Sequence, residues 1–292
     1  MSAISLERLN AATPEDFVAA LGAIYEHSPW VAEAAAARRP FATLQELHDA
    51  MSGAARGSDD TRKRALLKAH PDLAGKAARA GELTDDSKRE QNSAGLDRLS
   101  ADEYEEFHRL NKAYHDKFGF PFIVCVRRHG KESIFRQFEA RLRNDLATEY
   151  DAALAEVIRI AALRLDQHVD APDKLPVHGR LSTHVLDTHL GKPAQGVAFA
   201  LDALDGAGPI ARGVTNADGR TDAPLIAGRP VPIGRYELRF AVGDYFKRRG
   251  VPLADPPFLD VVPLRFSIAE PEGHYHVPLL VTPWSYSTYR GS

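Results

Sequence analysis

Apolar residues in the first 168 positions recur at helical spacing, and residues typical of helix starts divide them into segments. Capping patterns stand at Thr13-Pro14, Ser28-Pro29, Thr43 with Glu46, and Ser100 with Glu103. We predict further helices over 59–69, 84–98, 101–118, 131–143 and 147–167. The stretch Phe118–Val126 is too short for a core helix and contains a glycine and a proline, so it predicts a buried extended segment.

From residue 179 onward the pattern changes to alternation with a period of two, as in strands with one buried face. The alternating runs are Val197–Leu201, Tyr236–Phe240 and Val262–Ile268. Asp205-Gly206 and Asp218-Gly219 predict turns, and residues 243–250 predict one short helix. The second part is therefore predicted to be a small β-sandwich.

Proline and glycine place the boundary between these two patterns. The first 168 residues contain 5 of the 19 prolines and 8 of the 21 glycines, and the shorter remainder contains the rest. Residues 169–178 form a polar, proline-bearing stretch typical of a linker. We predict a multidomain chain with an all-α domain over 1–168, a linker over 169–178 and an all-β sandwich over 179–292.

Charge and composition exclude several classes of partner. The 292 residues carry 37 Lys plus Arg and 40 Asp plus Glu, a net charge of −3, which gives no basic surface for nucleic acid or an anionic membrane. No apolar run approaches the roughly 18 residues of a membrane span, and the first ten residues lack a signal-peptide layout. The single cysteine, Cys125, excludes an internal disulfide. These features predict a cytoplasmic protein.

Three polar features of the helical part are candidates for chemistry. His70 ends a predicted helix, where it is either a surface residue interacting with the helix dipole or a catalytic group. Ser87, Glu90 and Gln91 share one helix face, which is either solvated or lines a site. Arg164 lies on an apolar stripe, so its guanidinium either extends to water or binds an anionic ligand.

These features, with their neighbours, resemble the OHCU decarboxylase family, where OHCU is 2-oxo-4-hydroxy-4-carboxy-5-ureidoimidazoline. The matching motifs, within roughly residues 8–166, are His70-Pro-Asp-Leu73, Ser87-Lys-Arg-Glu-Gln91, Leu110-Asn-Lys-Ala-Tyr114 and Phe118-Gly-Phe-Pro-Phe122. The resemblance implies an all-helical enzyme that needs no cofactor, with His70 and Glu90 as its catalytic pair. The substrate-binding residues that it implies are Pro71, Ser87, Gln91, Phe122, Ile123, Val124 and Arg164.

The β part contains a second group of candidate residues. His274 and His276 are two positions apart on one predicted strand and therefore face the same side, and His184 lies on another strand. The three histidines are either scattered over a solvated face or gathered at a site. Zinc is one candidate ligand, although no carboxylate completes the set at a compelling spacing. Arg220 follows a turn, where it is either a solvated charge or a ligand-binding group.

This part resembles 5-hydroxyisourate hydrolase, the enzymatic branch of the transthyretin-like fold. The matching motifs are Leu181-Ser-Thr-His-Val-Leu-Asp187, Gly191-Lys-Pro-Ala194, Asp218-Gly-Arg220, Gly243-Asp-Tyr-Phe246, His274–Leu280 and the terminal Tyr289-Arg-Gly-Ser292. The resemblance implies a metal-free site in which the catalytic residues are His184, Arg220 and His276 and the substrate-binding residues are Tyr289 and Ser292. It also implies a homotetramer assembled through the β domain, and it leaves dimer contacts through the helical domain open.

The two resemblances predict consecutive activities, because the hydrolase forms the substrate of the decarboxylase. Hydrolysis of 5-hydroxyisourate gives OHCU, and stereospecific decarboxylation of OHCU gives (S)-allantoin in the degradation of urate. The sequence leaves two alternatives. One is a transthyretin-like binding module fused to a single active decarboxylase, and the other is a zinc-dependent hydrolase that uses His184, His274 and His276.

Overall fold

A computed structural model describes residues 3–75, 83–205 and 208–291 of the chain. The chain divides into two compact units, one formed by the residues up to 127 with 134–177 and the other by 128–133 with the residues from 178 onward. The first unit is helical and the second is rich in β-strands, which confirms the predicted fold class. Within the described ranges no helix combines the length and the apolar character that a bilayer crossing needs.

The helices described before residue 169 follow the predicted order, apart from a first short helix that the sequence did not predict. They are α1 (Leu6–Ala11), α2 (Pro14–Leu21), α3 (Trp30–Ala36), α4 (Leu44–Gly57), α5 (Asp60–Lys68), α6 (Asp85–Ser93), α7 (Ala101–Phe118), α8 (Lys131–Arg141) and α9 (Leu146–His168). The side chains of Thr13, Thr43 and Ser100 cap α2, α4 and α7 as predicted, and Ser100 with Glu103 forms a complete capping box.

Three predicted details of these helices were wrong. The carboxylate of Glu46 accepts a hydrogen bond from the amide of Ala42 rather than from that of Thr43. The capping box of Thr43 with Glu46 is therefore only half formed. Helix α3 begins after Pro29, with no side-chain cap from Ser28. Helix α6 ends at Ser93 and not at residue 98, because Gly95 takes a left-handed conformation that ends the helix.

The segment after α7 is buried without regular secondary structure, in agreement with its pattern. Gly119, with φ of 76°, ends the helix. Residues 120–125 then form neither helix nor strand and are buried, and a short 3₁₀ turn covers Val126–Arg128. The ring of Phe122 stacks on that of Phe138 of α8, with 3.7 Å between the ring centroids. The segment therefore forms an irregular wall inside the helical unit.

The stretch predicted as a linker is folded onto the helical unit as far as Val177. Its first two residues, β2 (Val169–Asp170), pair in parallel with β1 (Ile4–Ser5). The carboxylate of Asp173 accepts hydrogen bonds from the amide of Leu44 at 3.0 Å, where α4 begins. This stretch therefore pairs with β1 and caps the start of α4.

The second unit is a two-sheet sandwich. Its strands are β3 (Gly179–Asp187), β4 (Lys192–Pro193), β5 (Ala198–Ala203), β6 (Gly208–Val214), β7 (Ile226–Arg229), β8 (Gly234–Ala241), β9 (Val261–Ile268), β10 (His274–Val281) and β11 (Tyr286–Ser287), and α10 (Val242–Arg248) follows β8. One sheet has the order β11-β10-β3-β4 with β7 also paired to β3, and the other has the order β6-β5-β8-β9. The alternating residues predicted to face inward, such as Leu201, Leu238 and Leu264, are buried between the sheets. The turn at Asp218-Gly219 is present, whereas Gly206 lies outside the described residues.

Candidate active sites

One pocket in the helical unit gathers every residue that the first resemblance implied. Its lining includes His70, Pro71, Ser87, Glu90, Gln91, Phe122, Ile123, Val124 and Arg164, and the apolar residues Leu73, Val126 and Ile160 are also part of it. The polar residues come from the end of α5, from α6 and from α9, and the irregular wall after α7 supplies the remainder. The helix face of Ser87, Glu90 and Gln91 therefore lines this pocket.

Arg164 is buried in this pocket and binds two protein carboxylates. Its Nε and Nη2 atoms donate to the two oxygens of Glu90 at 2.9 Å each, and Nη1 donates to Glu26 at 2.7 Å. Burial alone would lower the pKa of Arg164, but hydrogen bonds and charge from Glu90 and Glu26 raise it. Neither of the two hypotheses for Arg164 included this arrangement. The guanidinium does not extend to water, and its donors are bound to protein carboxylates and not left free for an anionic ligand.

Glu26 is a residue of this site that sequence reasoning missed. It is only 3% exposed, and its carboxylate accepts hydrogen bonds from Arg164, from the hydroxyl of Thr84 at 2.8 Å and from that of Ser87 at 3.2 Å. Burial alone would raise the pKa of Glu26, but the charge of Arg164 and these hydrogen bonds lower it below its usual value. Glu26 lies in the connection after α2, where no helical or strand periodicity marks it.

His70 is a neutral imidazole with a defined tautomer. Its Nδ1 lies 3.0 Å from the carbonyl oxygen of Leu66, and because a carbonyl only accepts, Nδ1 carries the proton. Burial lowers the pKa of His70 to about 4, although the Leu66 hydrogen bond and the charge of Glu26 act in the opposite direction. At neutral pH the Nε2 atom therefore bears a lone pair and acts as a hydrogen-bond acceptor or base.

Two amide side chains fix the turn that follows His70. Gln91 accepts a hydrogen bond from the amide of Ala74 at 3.0 Å, and Asn111 of α7 donates to the carbonyl of Leu73 at 2.8 Å. Ala74 has a positive φ of 52°, which is uncommon for a residue other than glycine. These bonds hold the strained turn in place. Because the side-chain oxygen of Gln91 is bound to Ala74, its amide nitrogen is the group of that side chain that can bind a ligand.

A second pocket lies on the outer face of one sheet of the β unit. It is lined by Arg180, Ser182, Thr183, Arg220, Thr221, Asp222, Ala223, Pro224, His274 and His276. Parallel pairing of β3 with β10 sets His276 beside Ser182, while Tyr275 and Val277 point into the core, as the alternation predicted. His184 is not part of this lining, but it pairs with Arg220 through an antiparallel bridge.

The environment of His276 involves both a serine and the C-terminal tail. The Oγ of Ser182 lies 3.0 Å from Nδ1 of His276. The backbone of His276 exchanges two hydrogen bonds with Gly291, at 3.1 and 2.8 Å. A Cβ atom on Gly291 would lie only 3.1 Å from the Cβ and Cδ2 atoms of His276, so the tail approaches closely because this residue is glycine.

The pKa values of His184 and His276 both lie below the ordinary histidine value. Burial lowers the pKa of His184 and of His276, and the charge of Arg220 lowers both further. The Nε2 atom of His184 is buried and has no hydrogen-bond partner among the described residues. A buried polar atom of this kind normally has a partner, such as an ordered water molecule or a ligand.

Of the two substrate-binding residues predicted in the C-terminal tail, the structure describes only Tyr289. Tyr289 is 58% exposed and does not line the pocket, so this structure does not bring it to the site. Ser292 lies outside the described residues. In the ranges that the structure describes, no three His, Cys, Asp or Glu side chains are grouped so that they could hold a metal ion. The zinc alternative therefore has no ligand set there.

The two pockets define a chain with two separate candidate active sites, and comparisons with known proteins agree with this division. The OHCU decarboxylase family model matches residues 10–166, and the HIUase/Transthyretin family model matches residues 181–291. The chain belongs to the OHCU decarboxylase family through its helical unit and to the HIUase/Transthyretin family through its β unit.

Three individual proteins extend this comparison. A 5-hydroxyisourate hydrolase of Deinococcus radiodurans is 60% identical over 117 residues, which are 39% of this chain and 98% of that protein. A 2-oxo-4-hydroxy-4-carboxy-5-ureidoimidazoline decarboxylase of Haloferax volcanii is 44% identical over 165 residues, which are 56% of this chain and 96% of that protein. A crystal structure of (S)-allantoin synthase is matched over 99% of this chain and 100% of its own, with 37% sequence identity and a TM-score of 0.54.

Proposed function

We propose that the two pockets act in succession on one purine breakdown product, with the residues described above in defined roles. The chain is a bifunctional enzyme that converts 5-hydroxyisourate to allantoin in urate degradation, by hydrolysis in the β unit and decarboxylation in the helical unit. The observation that carries the assignment of roles is the convergence of His70, Glu90 and Arg164 in one pocket. A purely binding role for the β unit is disfavoured by its 60% identity to a hydrolase.

In the β unit, a neutral histidine activates water for hydrolysis. His184 or His276 accepts a proton as the water oxygen attacks the ring amide carbonyl of 5-hydroxyisourate. Arg220 stabilises the oxyanion that forms. The carbon–nitrogen bond then breaks, the nitrogen leaves with a proton, and the ring opens to the carboxylate and ureido groups of OHCU.

In the helical unit, His70 moves protons while the carboxylate of OHCU leaves as CO₂. The electron pair of the broken carbon–carbon bond moves toward the adjacent ring C=N, whose nitrogen takes up a proton from solvent, the one net proton that the reaction consumes. Nε2 of His70 accepts the proton of the neighbouring hydroxyl, which becomes a carbonyl, and a proton returns to the ureido-bearing carbon. Delivery from one face of the pocket gives the S isomer of allantoin.

The charge balance of the helical pocket favours this reaction. Arg164 is matched by two carboxylates, those of Glu26 and Glu90, and His70 is neutral, so these four groups sum to one negative charge. The carboxylate of OHCU is therefore not neutralised by Arg164. Its negative charge is disfavoured next to a surplus of the same sign, and this cost is relieved as the electron pair moves from the carboxylate carbon to the ring nitrogen and that nitrogen takes up a proton.

The proposal includes a homotetramer assembled through the β unit. It is supported by large apolar side chains that lie exposed near the C-terminus, namely Trp284 at 58%, Tyr286 at 45% and Tyr289 at 58%. Aromatic residues of this kind are enriched in subunit interfaces. Sedimentation equilibrium of the full chain tests this assembly, and a monomeric mass at micromolar concentration would contradict it.

The roles of the two histidines are tested by one pair of variants. We expect His70→Ala to abolish the production of optically active allantoin and to leave the hydrolysis of freshly generated 5-hydroxyisourate intact. We expect His276→Ala to do the reverse. The loss of 5-hydroxyisourate absorbance and circular dichroism of the product report the two steps separately. Exchanged or shared losses would show that the pockets are misassigned.

A further inference from the structure

A buried ion pair lies behind the irregular wall of the helical pocket. Arg141, at the end of α8, donates through Nε and Nη2 to one oxygen of Glu149, in the first turn of α9, at 2.8 and 2.5 Å. The hydroxyl of Tyr114 donates to the same oxygen, and Asn144 donates to the other at 2.8 Å. Arg141 is 7% exposed and Glu149 is fully buried, and none of these residues lines the pocket. Any effect on the reaction therefore acts through a neighbour.

That neighbour is the backbone of the wall itself. Nη1 of Arg141 donates to the carbonyl oxygen of Ile123 at 2.5 Å, and its guanidinium lies over the ring of Phe122, 4.7 Å from the centroid. Two residues further on, the amide of Cys125 donates to Glu156 of α9 at 2.8 Å. Because residues 120–125 form neither helix nor strand, side chains take the place of the backbone partners that regular structure would supply.

The bond to Ile123 also fixes the direction of the next amide. The peptide between Ile123 and Val124 is planar and trans, so its N–H points opposite to its C=O. With the carbonyl held on the side of Arg141, the N–H of Val124 is directed to the other side. Both Ile123 and Val124 line the pocket, whereas Arg141 does not.

Removing Arg141 and Glu149 from water is costly, and apolar side chains of similar volume hold helices together equally well. Stability alone therefore does not account for a pair in this position. We propose that Arg141 and Glu149 are positioning residues of the decarboxylase site, which hold the Ile123 carbonyl so that the Val124 N–H donates to an oxygen of the bound OHCU. This inference rests on the decarboxylase function proposed above.

The test measures KM and kcat for decarboxylation of freshly generated OHCU. The double variant Arg141→Met/Glu149→Met removes the ion pair without leaving a lone buried charge, and the donor to Ile123 is lost. We expect about a ten-fold increase in KM, the size of one lost hydrogen bond, with an unchanged circular dichroism spectrum. Partial unfolding lowers kcat in proportion to the folded fraction and leaves KM unchanged, so KM separates positioning from a merely structural role.

Two further variants keep the test decisive. Arg141→Lys retains the charge beside Glu149, but a single nitrogen replaces the fork that reaches both acceptors, so we expect KM to rise here as well. Tyr114→Phe is the matched control: it removes one donor to Glu149, leaves the bond from Arg141 to Ile123 in place and is expected to keep the wild-type KM. A wild-type KM in both Arg141 variants would overturn the positioning role. Failure of the wild-type chain to decarboxylate OHCU would instead overturn the proposed function.

Discussion

Arg164 and Glu90, 74 residues apart in the sequence, meet through two parallel hydrogen bonds of 2.9 Å inside the helical pocket. A planar guanidinium and a carboxylate match in this geometry, which a lysine does not reproduce. Because Glu26 takes a further donor of Arg164, this one cation is paired with two carboxylates at the site. The carboxylates then set the electrostatic character of the site, and this leads to a first prediction.

Replacing Glu26 by Gln removes one negative charge and preserves the size of the side chain. If surplus negative charge promotes the loss of CO₂, kcat for decarboxylation falls, by about ten-fold for a change of ~1.4 kcal/mol in the barrier. The charge of Glu26 also raises the pKa of His70, so its removal lowers that pKa further. We therefore expect the acid limb of the pH–rate profile to move to lower pH. Hydrolysis of 5-hydroxyisourate by the same preparation is the internal control, and an unchanged profile would contradict the charge argument.

Both activities of the unmodified chain should lose their bases only below the ordinary histidine pKa. A histidine acts as a base only when neutral, so its contribution is complete well above its pKa and is lost as the pH falls through that value. With the pKa of His70 at about 4, kcat/KM for decarboxylation should stay level from pH 8 to pH 6 and decline only toward pH 4. For hydrolysis, the lowered pKa values of His184 and His276 place the decline below the ordinary histidine value of 6.5. A decarboxylation limb near pH 6.5 would contradict the neutral, desolvated state of His70.

Chelation addresses the alternative of a metal-dependent hydrolase. The proposed mechanism uses neutral histidines and Arg220, and it routes no step through a metal. We therefore expect hydrolysis and decarboxylation to be unchanged after exhaustive dialysis against EDTA and o-phenanthroline. Atomic absorption of the dialysed protein is the control that metal has been removed. Loss of hydrolysis that returns with added zinc would support the alternative built on His184, His274 and His276.

Much of the fold was accessible from the sequence because its signals are local. Helix α7 begins and ends at the predicted residues, since Ser100 and Glu103 fix one end and Gly119 fixes the other. The alternation in β5, β8 and β9 gave the inward-facing residues for the same reason. Residues 169–178 have the polar, proline-bearing composition of a linker, and nothing local reveals their partners. These partners lie more than a hundred residues away, Ile4 for Val169 and Leu44 for Asp173.

The distinction between local signals and long-range partners also holds for the helical site. His70, Glu90 and Gln91 belong to short motifs or to one helix face, and these signals are visible in the sequence. Glu26 lies 138 residues from Arg164, and no periodicity connects the two. The bond between Arg141 and the carbonyl of Ile123 involves a backbone atom, which carries no residue-specific signal at all. Such long-range partners become apparent only when the helices are packed.

Gly291 provides a prediction for the β site that is independent of the helical unit. Its backbone pairs with His276, and a Cβ atom would meet the histidine at 3.1 Å, closer than side chains normally approach. Gly291→Ala should therefore displace the tail or turn the His276 ring, and we expect hydrolysis of 5-hydroxyisourate to fall about ten-fold, as for a misplaced catalytic group. Decarboxylation of OHCU should be unchanged. Gly234→Ala is the matched control in the same unit, because a Cβ there meets only ordinary contacts at 3.9 Å or beyond. If both variants hydrolyse at the wild-type rate, the tail does not constrain His276; if both lose activity equally, the effect is one of folding and not of the contact between Gly291 and the histidine.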